Sequence, residues 1–215
     1  MTTVAAIDWN LWRANYDLMT FRQHQDFYAD VAAIHPEQNC WNKDATRKFV
    51  NSRRPREIVE VGGWNGSLAN AILREFPQID TWVNYEIAPD VPQECTNGRY
   101  TRVTLADWPW HRKLRADALI ASHVFEHMRI TEIEKLVQAW DVASIYIDCP
   151  IGPDAPNWDG YEGSHILEVG STELLARLKR IGYRASFVDA GADSLIAYLD
   201  RAEDVSLYHW WKANR

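Results

Sequence analysis

The stretch from Glu57 to Ser67, EIVEVGGWNGS, constrains the fold of this chain more than any other. A short β-branched run ends at Glu60, and glycines follow at positions 62, 63 and 66. A helical pattern begins at once, because apolar residues then recur at steps of three and four from Leu68 to Phe76. The pattern predicts a strand that enters a helix through a glycine turn. Backbone without Cβ atoms, and the free N–H groups of the first helical turn, can approach a ligand there.

The order of the glycines indicates which ligand. A dinucleotide site uses G-x-G-x-x-G, whereas this turn reads G-G-x-x-G with Trp64 inside it. Glu60 would repel a phosphate, but it could hold an ammonium group directly or through water. Glu86 closes the next apolar run, and a carboxylate there can accept hydrogen bonds from both hydroxyls of a ribose. The sequence therefore predicts a cofactor with a ribose and a cationic amino-acid end; the alternative is an ordinary strand–turn–helix with incidental glycines.

The rest of the chain alternates between strand and helix patterns. Residues 8–34 and 44–52 are predicted helices, and 66–76 is the helix after the glycine turn. A capping box of Thr131 and Glu134 and a cap at Ser171 indicate two more helices, the second ending near Gly182. The predicted strands are 57–61, 81–86, 100–105, 117–122, 144–148, 183–189 and 194–200. This alternation is typical of an α/β fold with a mostly parallel sheet and helices on both faces.

Composition limits the remaining possibilities. The chain has 215 residues, 47% of them hydrophobic, which fits one domain with a sizeable core. Its formal charge of −7 gives no electrostatic attraction to nucleic acid or anionic membrane. No apolar run is long enough for a membrane span, and the N-terminus lacks the basic start of a secretory signal. The three cysteines show no metal-ligand or disulfide spacing, so a reduced, cytoplasmic setting is expected.

Two segments resemble a known family over about residues 45–200. The acid-x-Gly-x-x-x-Gly pattern of Glu60, Gly62 and Gly66 resembles the first motif of class I S-adenosylmethionine-dependent methyltransferases. The segment Ala121-Ser-His-Val-Phe-Glu-His127 is similar to the S-H-V-x-E-H segment that follows the fourth strand in one broad group of them. The resemblance implies a Rossmann-like, seven-stranded sheet whose last strand is antiparallel. It also implies S-adenosyl-L-methionine as the cofactor.

The resemblance further implies a role for each matching residue. The methionine part would lie on the glycine turn, formed by Glu60, Gly62, Gly63, Trp64 and Gly66. Glu86, with Ile87 beside it, would bind the ribose hydroxyls. Asp107 would accept from the adenine amino group, with Trp108 donating its backbone N–H or packing on the ring. Ser122 and His123 would lie near the methionine and the sulfonium. Trp64 departs from the pattern, because many relatives have a second glycine at that place.

Three histidines are candidates for chemistry. His165 is the preferred general base, because it follows a flexible stretch where the acceptor should approach and because relatives often place a histidine shortly before the last helix. The alternative is a structural hydrogen bond. His123 either lines the pocket or caps a turn. His127 is expected to be a structural histidine, which Glu126 could orient. The spacing of His123 and His127 suits a metal pair, but no third ligand is evident, so no metal is predicted.

The acceptor is expected to be a small molecule, a glycan or a lipid-type molecule, methylated on oxygen or nitrogen. Nucleic acid is unlikely, because no Asn-Pro-Pro-Tyr or Asp-Pro-Pro-Tyr segment follows the fourth strand. Residues 1–52 form a predicted N-terminal helical extension that either covers the cleft or forms a homodimer surface, and 53–215 form the cofactor-binding domain. Trp158 and Tyr161 could close over the acceptor. The alternatives are a cofactor-binding protein without turnover, and a nucleotide-sugar or NAD enzyme on a similar sheet.

Overall fold

The computed structural model describes residues 7–34, 42–152 and 163–202, and these form six α-helices and seven β-strands. The helices are α1 (Trp9–Asn15), α2 (Phe21–Ile34), α3 (Lys43–Arg53), α4 (Ser67–Glu75), α5 (Ile130–Ala139) and α6 (Ser171–Arg180). The strands are β1 (Glu57–Val61), β2 (Thr81–Glu86), β3 (Tyr100–Thr104), β4 (Leu114–Ser122), β5 (Trp140–Pro150), β6 (Tyr183–Ala190) and β7 (Ser194–Arg201). Trp158 and Tyr161, proposed to close over the acceptor, lie outside the described residues.

The sheet has the strand order β3-β2-β1-β4-β5-β7-β6. The first five strands are parallel to one another, and β7 is antiparallel to both of its neighbours. The predicted seven-stranded, mostly parallel sheet with an antiparallel last strand is confirmed. In the register, Val61 at the end of β1 pairs with Tyr85 of β2 and Ala121 of β4. The carboxyl ends of these three strands therefore meet at one edge, beside the point where the strand order reverses.

Helices cover both faces of the sheet, as the strand–helix alternation predicts. On one face α3 and α4 bury Phe49, Leu68 and Ile72 against the strands. On the other face α5 and α6 bury a second cluster that includes Ile133 and Leu174. Strands covered on both faces must be apolar on both, which explains the continuous run from Ala118 to Ala121 in β4.

The prediction of one helix over 8–34 is wrong in one respect. α1 ends at Asn15, a short 3-10 turn covers Tyr16–Leu18, and α2 begins at Phe21. The physical reason is a capping box: the Gln23 side chain accepts from the Thr20 N–H at 2.8 Å, and the Gln23 N–H donates to Thr20 Oγ1 at 3.3 Å. The Thr-x-x-Gln pattern marks a new helix start that apolar periodicity alone does not show.

Two other predicted caps also differ. α5 begins at Ile130, and its cap pairs Arg129 with Glu132, whose carboxylate accepts from the Arg129 N–H at 2.8 Å. Thr131 and Glu134 therefore lie inside the helix. Gly170, not Ser171, occupies the cap position of α6, and no side chain caps that helix end. Both starts precede the expected residues by one or two positions, the usual uncertainty of helix boundaries.

The N-terminal helices are tied to the core by polar contacts. The Tyr16 hydroxyl donates to Glu132 at 2.8 Å, and Asp17 pairs with Arg129 at 2.9 Å. The Gln25 amide donates to the Leu105 carbonyl at 2.9 Å, just past the end of β3. α1 and α2 are thereby held over the carboxyl edge of the sheet. Within the described ranges, no helix is both long and apolar enough to cross a membrane.

Candidate cofactor and acceptor cleft

A cleft opens at the carboxyl ends of β1, β2 and β4, and it encloses about 1420 Å³ with its open mouth included. Most of the predicted site residues line it. They are Glu60, Gly62, Gly63, Trp64, Glu86, Ile87, Trp108, Ser122, His123, His127 and His165. Two predicted residues, Gly66 and Asp107, are not part of this lining. Sequence spacing therefore located the cleft, because parallel strand ends converge on one edge.

The glycine turn is held by hydrogen bonds to residues of β2. The Gly63 N–H donates to Asn84 Oδ1 at 2.9 Å, and the Trp64 N–H donates to Glu86 Oε2 at 2.8 Å. The Gly62 N–H donates to the Tyr85 carbonyl at 3.0 Å. These three N–H groups are thus used within the protein; they precede α4, whose first turn holds the N–H groups expected to face a ligand. Asn84 is a positioning residue that the sequence reasoning missed; its place inside β2, two residues before Glu86, was the available signal.

Each of two glycines leaves room for a different neighbour. Gly66 has a φ of +79°, and a Cβ there would come within 2.7 Å of the Tyr100 ring. Its role in this structure is to let α4 begin beside β3. At Gly63 a Cβ would lie 2.3 Å from the Glu60 carboxyl group. Gly63 is therefore required by the Glu60 side chain, which lies directly beneath the turn.

Trp64 has a φ of +50°, unusual for a residue with a side chain. The turn therefore accommodates the bulky residue by a left-handed backbone. Its ring packs against the apolar clusters of the N-terminal helices that contain Val31 and Ala32. The Trp64 side chain, at the place where many members of the resembled family have a glycine, therefore connects the turn to the N-terminal helices above it.

Glu60 is 2% exposed and accepts a hydrogen bond from Trp82 Nε1 at 2.8 Å. Burial raises its pKa to about 8, the Trp82 hydrogen bond opposes this, and the nearby Glu86 adds to it. The carboxyl group is therefore mostly protonated near neutral pH. A cation placed beside it would favour the ionised form.

Glu86 is 1% exposed and anchors the loop that follows β2. Oε2 accepts from Trp64, and Oε1 accepts from the N–H groups of Ile87 at 2.8 Å and Ala88 at 3.1 Å. Burial raises the pKa of Glu86, against the opposing effect of these hydrogen bonds. A carboxylate has about four lone-pair positions, so about one remains for a ligand hydroxyl.

Asp107 lies at the rim, with 61% of its side chain exposed. Its Oδ1 accepts from the Trp108 N–H at 2.7 Å, and its Oδ2 lies 2.8 Å from His111 Nδ1. The Trp108 N–H that was expected to face an adenine is thus already used. The Trp108 ring lines the cleft and stacks on Trp110 with centroids 4.9 Å apart.

The histidines form one cluster with a buried carboxylate. Glu126 Oε1 lies 3.5 Å from His123 Nδ1 and 3.8 Å from His127 Nε2. His127 Nδ1 is 2.9 Å from the Ser164 carbonyl, and the His165 ring is 5.7 Å from the His127 ring. Burial alone would raise the pKa of Glu126, but His123 and His127 outweigh it and lower that pKa. Burial alone would lower the pKa of His123, but Glu126 and Asp148 outweigh it and raise that pKa.

Three polar atoms at the cleft are buried without a hydrogen-bond partner among the described residues: Trp64 Nε1, Ser122 Oγ and Glu126 Oε2. Buried polar groups are normally satisfied, so such atoms are typical of a site that binds a polar ligand. The donor and acceptor types here suit a molecule that carries both kinds of group. Among the described residues, no group of three or more His, Cys, Asp or Glu has a metal-binding arrangement.

α1, α2 and the 3-10 turn between them provide the roof of the cleft, with Trp9, Tyr16, His24, Tyr28 and Val31. The Trp9 ring stacks on His127, with centroids 5.9 Å apart and an interplanar angle of 21°. These roof residues are functional candidates that the sequence did not single out. The aromatic stripes of the two helices were visible, but only the packed structure shows which rings face the cleft.

Comparison with solved structures gives one recurring fold. No protein-family model matches the chain, and no curated protein sequence does. The fold is similar to that of the mitomycin 7-O-methyltransferase MmcR (16% identity, 92% of this chain and 69% of that one, TM-score 0.59). It is also similar to the pyocyanin biosynthetic protein PhzM (16% identity, 85% of this chain and 60% of that one, TM-score 0.58). Magnesium protoporphyrin IX methyltransferase (ChlM) from Synechocystis PCC 6803, solved with bound SAH, matches at 12% identity over 85% of this chain and 88% of that one (TM-score 0.58).

The chain therefore has the Rossmann-like fold of class I S-adenosylmethionine-dependent methyltransferases, with N-terminal helices added to it. This chain is similar to these neighbours in fold, at sequence identities of 12–16%.

Proposed function

We propose that this protein is a methyltransferase that uses S-adenosyl-L-methionine and methylates oxygen or nitrogen of a small molecule. The observation that carries the proposal is the placement of Glu60 and Glu86 in one roofed cleft, at the ends of adjacent parallel strands. The segment from Ala121 to His127 follows the fourth strand, as in the group it resembles, and this supports the assignment. A glycan or lipid-type acceptor belongs to the same proposal.

The residues present fit the cofactor. Glu86 has about one acceptor position left for a ribose hydroxyl. The raised pKa of Glu60 means that a cationic amino-acid end would relieve an unfavourable burial. Ser122 Oγ is buried without a partner beside the expected methionine position. Asp107 stays the proposed partner of the adenine amino group, which would donate to the solvent-exposed side of its carboxylate. The Trp108 ring would pack on the base.

When bound, the cofactor would supply a methyl group on a sulfonium: an acceptor lone pair would bond to the methyl carbon while the C–S electrons return to sulfur, and the thioether would leave. The protein's contribution is orientation and proton removal. His165 is the proposed general base, because it lines the cleft beside His127. It would receive the proton that the acceptor loses. His123 and His127 would support this step through Glu126, which lies within 3.8 Å of both.

The N-terminal extension, residues 1–52, is proposed to act as a lid that selects the acceptor. Its support is the roof formed by α1 and α2 and the contacts that tie them to α5. The boundary at residue 52 is a proposal too, although α3 packs with α4 in the main core. Leu11 and Leu18 are 61% and 81% exposed, which supports self-association through these helices. A cytoplasmic location fits the free, buried Cys95 and Cys149.

Calorimetric titration with four ligands tests the cofactor. S-adenosylmethionine and S-adenosylhomocysteine are expected to bind, and NAD and a nucleotide sugar are not. Binding of NAD without binding of S-adenosylhomocysteine would overturn the proposal.

Two variants separate the roles of the two acids. Glu86→Gln is expected to weaken both S-adenosylhomocysteine and adenosine, because both contain the ribose. Glu60→Gln is expected to weaken only S-adenosylhomocysteine, because adenosine lacks the amino-acid end. Glu57→Gln, on β1 but exposed, is the matched control and should change neither. Equal losses for both ligands in Glu60→Gln would contradict its assignment to the ammonium group.

A further inference from the structure

Six residues that line the cleft are not assigned to the cofactor, and we call the part of the cleft that they line the acceptor compartment. It is lined by Trp9, Tyr28, Glu126, His127, Met128 and His165. Their contacts join them into one wall: Trp9 stacks on His127 and meets Tyr28 edge-on, with centroids 6.3 Å apart. The compartment is formed jointly by the N-terminal helices and the segments that follow β4 and precede α6.

The walls of this compartment are mainly rings. The faces and edges of Trp9, Tyr28 and His127 bound it, with the flexible thioether side chain of Met128 beside them. Aromatic rings pack favourably on one another in stacked and edge-on geometry. A sugar would bury several hydroxyls here, each of which needs a hydrogen-bond partner. The walls therefore suit a flat ring system better than a glycan.

The charge of the cleft adds a second restriction. Among the described residues that line it, none is a lysine or an arginine. Of the segments outside the described residues, 1–6, 35–41 and 153–162 contain no lysine or arginine, whereas 203–215 contains Lys212 and Arg215. Arg129, close to the roof, is already paired with Asp17. A carboxylate or phosphate on the acceptor would thus meet no lysine or arginine, and it would be buried beside the ionised Glu126 carboxylate, which is strongly unfavourable.

The third restriction comes from Glu126. This residue is 2% exposed, and its Oε2 has no hydrogen-bond partner among the described residues. The flanking histidines His123 and His127 hold its carboxyl group in the ionised form by lowering its pKa. An ionised carboxylate can only accept hydrogen bonds. A ligand that satisfies Oε2 must therefore carry a donor.

We propose that the acceptor is an aromatic molecule without negative charge, and that Glu126 binds a hydroxyl or amino hydrogen on its ring. This inference rests on the proposed methyltransferase function and narrows it. Uncharged phenols and aromatic amines, protonated amines included, fit the compartment. Aromatic carboxylates, phosphate esters and nucleotides do not. Glu126 acts as an acceptor-binding residue that sets specificity, in addition to any effect on His127.

The test uses four probes with the same ring: 2-naphthol, 2-naphthylmethylamine, 2-naphthoate and naphthalene. Binding is measured by ligand-observed NMR to the full chain saturated with S-adenosylhomocysteine. The naphthol and the amine are expected to bind at least about tenfold more tightly than the carboxylate, because only the carboxylate places a second negative charge beside Glu126. Naphthalene is expected to bind more weakly than naphthol, because it offers no donor to Glu126.

Glu126→Gln tests the residue itself. Its amide can donate as well as accept, so the variant is expected to lose affinity for the amine and to gain affinity for the carboxylate. Glu173→Gln, on α6 and outside the cleft, is the matched control and should preserve the wild-type order. Retained binding of S-adenosylhomocysteine shows that each variant is folded.

The outcomes separate the two proposals. If S-adenosylhomocysteine does not bind the wild-type protein, the proposed function fails first. If it binds but the carboxylate binds as tightly as the naphthol, the charge argument is wrong. If it binds and none of the four probes does at millimolar concentration, the aromatic compartment is not the acceptor site. The wild-type probe series depends on no variant, so a misfolded Glu126→Gln protein leaves the conclusion intact.

Discussion

Replacing Glu60 by glutamine should make the protein more stable, and increasingly so as the pH rises. The pKa of Glu60 is raised from 4.5 to about 8, mainly because the carboxyl group is fully buried. In the unfolded chain the same group titrates near its ordinary value. The folded state therefore binds a proton that the unfolded state releases, so stability is lost as the pH rises from about 4.5 to about 8.

The size of the effect follows from these two values. Proton linkage gives a cost of about 2.0 kcal/mol at about pH 6 and about 4.7 kcal/mol at about pH 9. Glutamine does not titrate, and its amide oxygen can still accept from Trp82 Nε1, which lies 2.8 Å from the carboxylate. The stability of Glu60→Gln relative to wild type should thus increase by about 2.7 kcal/mol between these two pH values.

Urea denaturation of the ligand-free protein, followed by tryptophan fluorescence at several pH values, measures this difference. The pH dependence is the informative quantity, because any packing effect of the substitution is constant with pH. Glu57→Gln, the same chemical change at an exposed position of β1, should show no such trend. A Glu60→Gln difference that stays constant from about pH 6 to about pH 9 would refute the buried, protonated carboxyl group.

Four further outcomes are expected. In wild type, S-adenosylhomocysteine binding near pH 7 should release about 0.9 proton from the Glu60 carboxyl group, because the bound cation favours its ionised form. Calorimetry in buffers of different ionisation enthalpy measures this release, and Glu60→Gln should release none from this site. Gly63→Ala should destabilise the protein by about 1–3 kcal/mol and abolish cofactor binding, because its Cβ would lie 2.3 Å from Glu60. Gly98→Ala is the control, because a Cβ at Gly98 would have no neighbour within 4 Å. Equal effects of the two substitutions would count against the clash. Tyr16→Phe removes the hydroxyl that ties α1 to α5, so S-adenosylhomocysteine should dissociate about fivefold faster in stopped-flow experiments, and an unchanged rate would argue against a lid. His165→Ala should abolish turnover with cofactor affinity intact, and unchanged turnover would remove it from the mechanism.

The sequence determined the architecture of the core because the signals are local. The glycine turn after β1 and the apolar runs that end at Glu86 and Ser122 each depend on a few adjacent residues. Parallel strands then require their carboxyl ends to meet. Eleven predicted residues lie together in the cleft for that reason. The break between α1 and α2 was also encoded locally, in Thr20 and Gln23, although apolar periodicity concealed it.

Only the tertiary structure decided how the polar groups are used. Asn84 and Glu86 bind the N–H groups of the glycine turn across the sheet, and Asp107 turns toward His111. Such contacts depend on register and rotamer, which spacing along the chain does not specify. The same is true of Glu126, whose meeting with His123 and His127 requires the tight turn after β4.

The sequence by itself thus determined where the cleft lies, because strand ends and glycine turns are set by local backbone preferences. The packed molecule decided what lines that cleft: an aromatic roof from helices far away in sequence, and buried carboxyl groups whose protonation depends on their neighbours. Burial and electrostatic environment are properties of the whole fold, since each arises from segments distant in the chain.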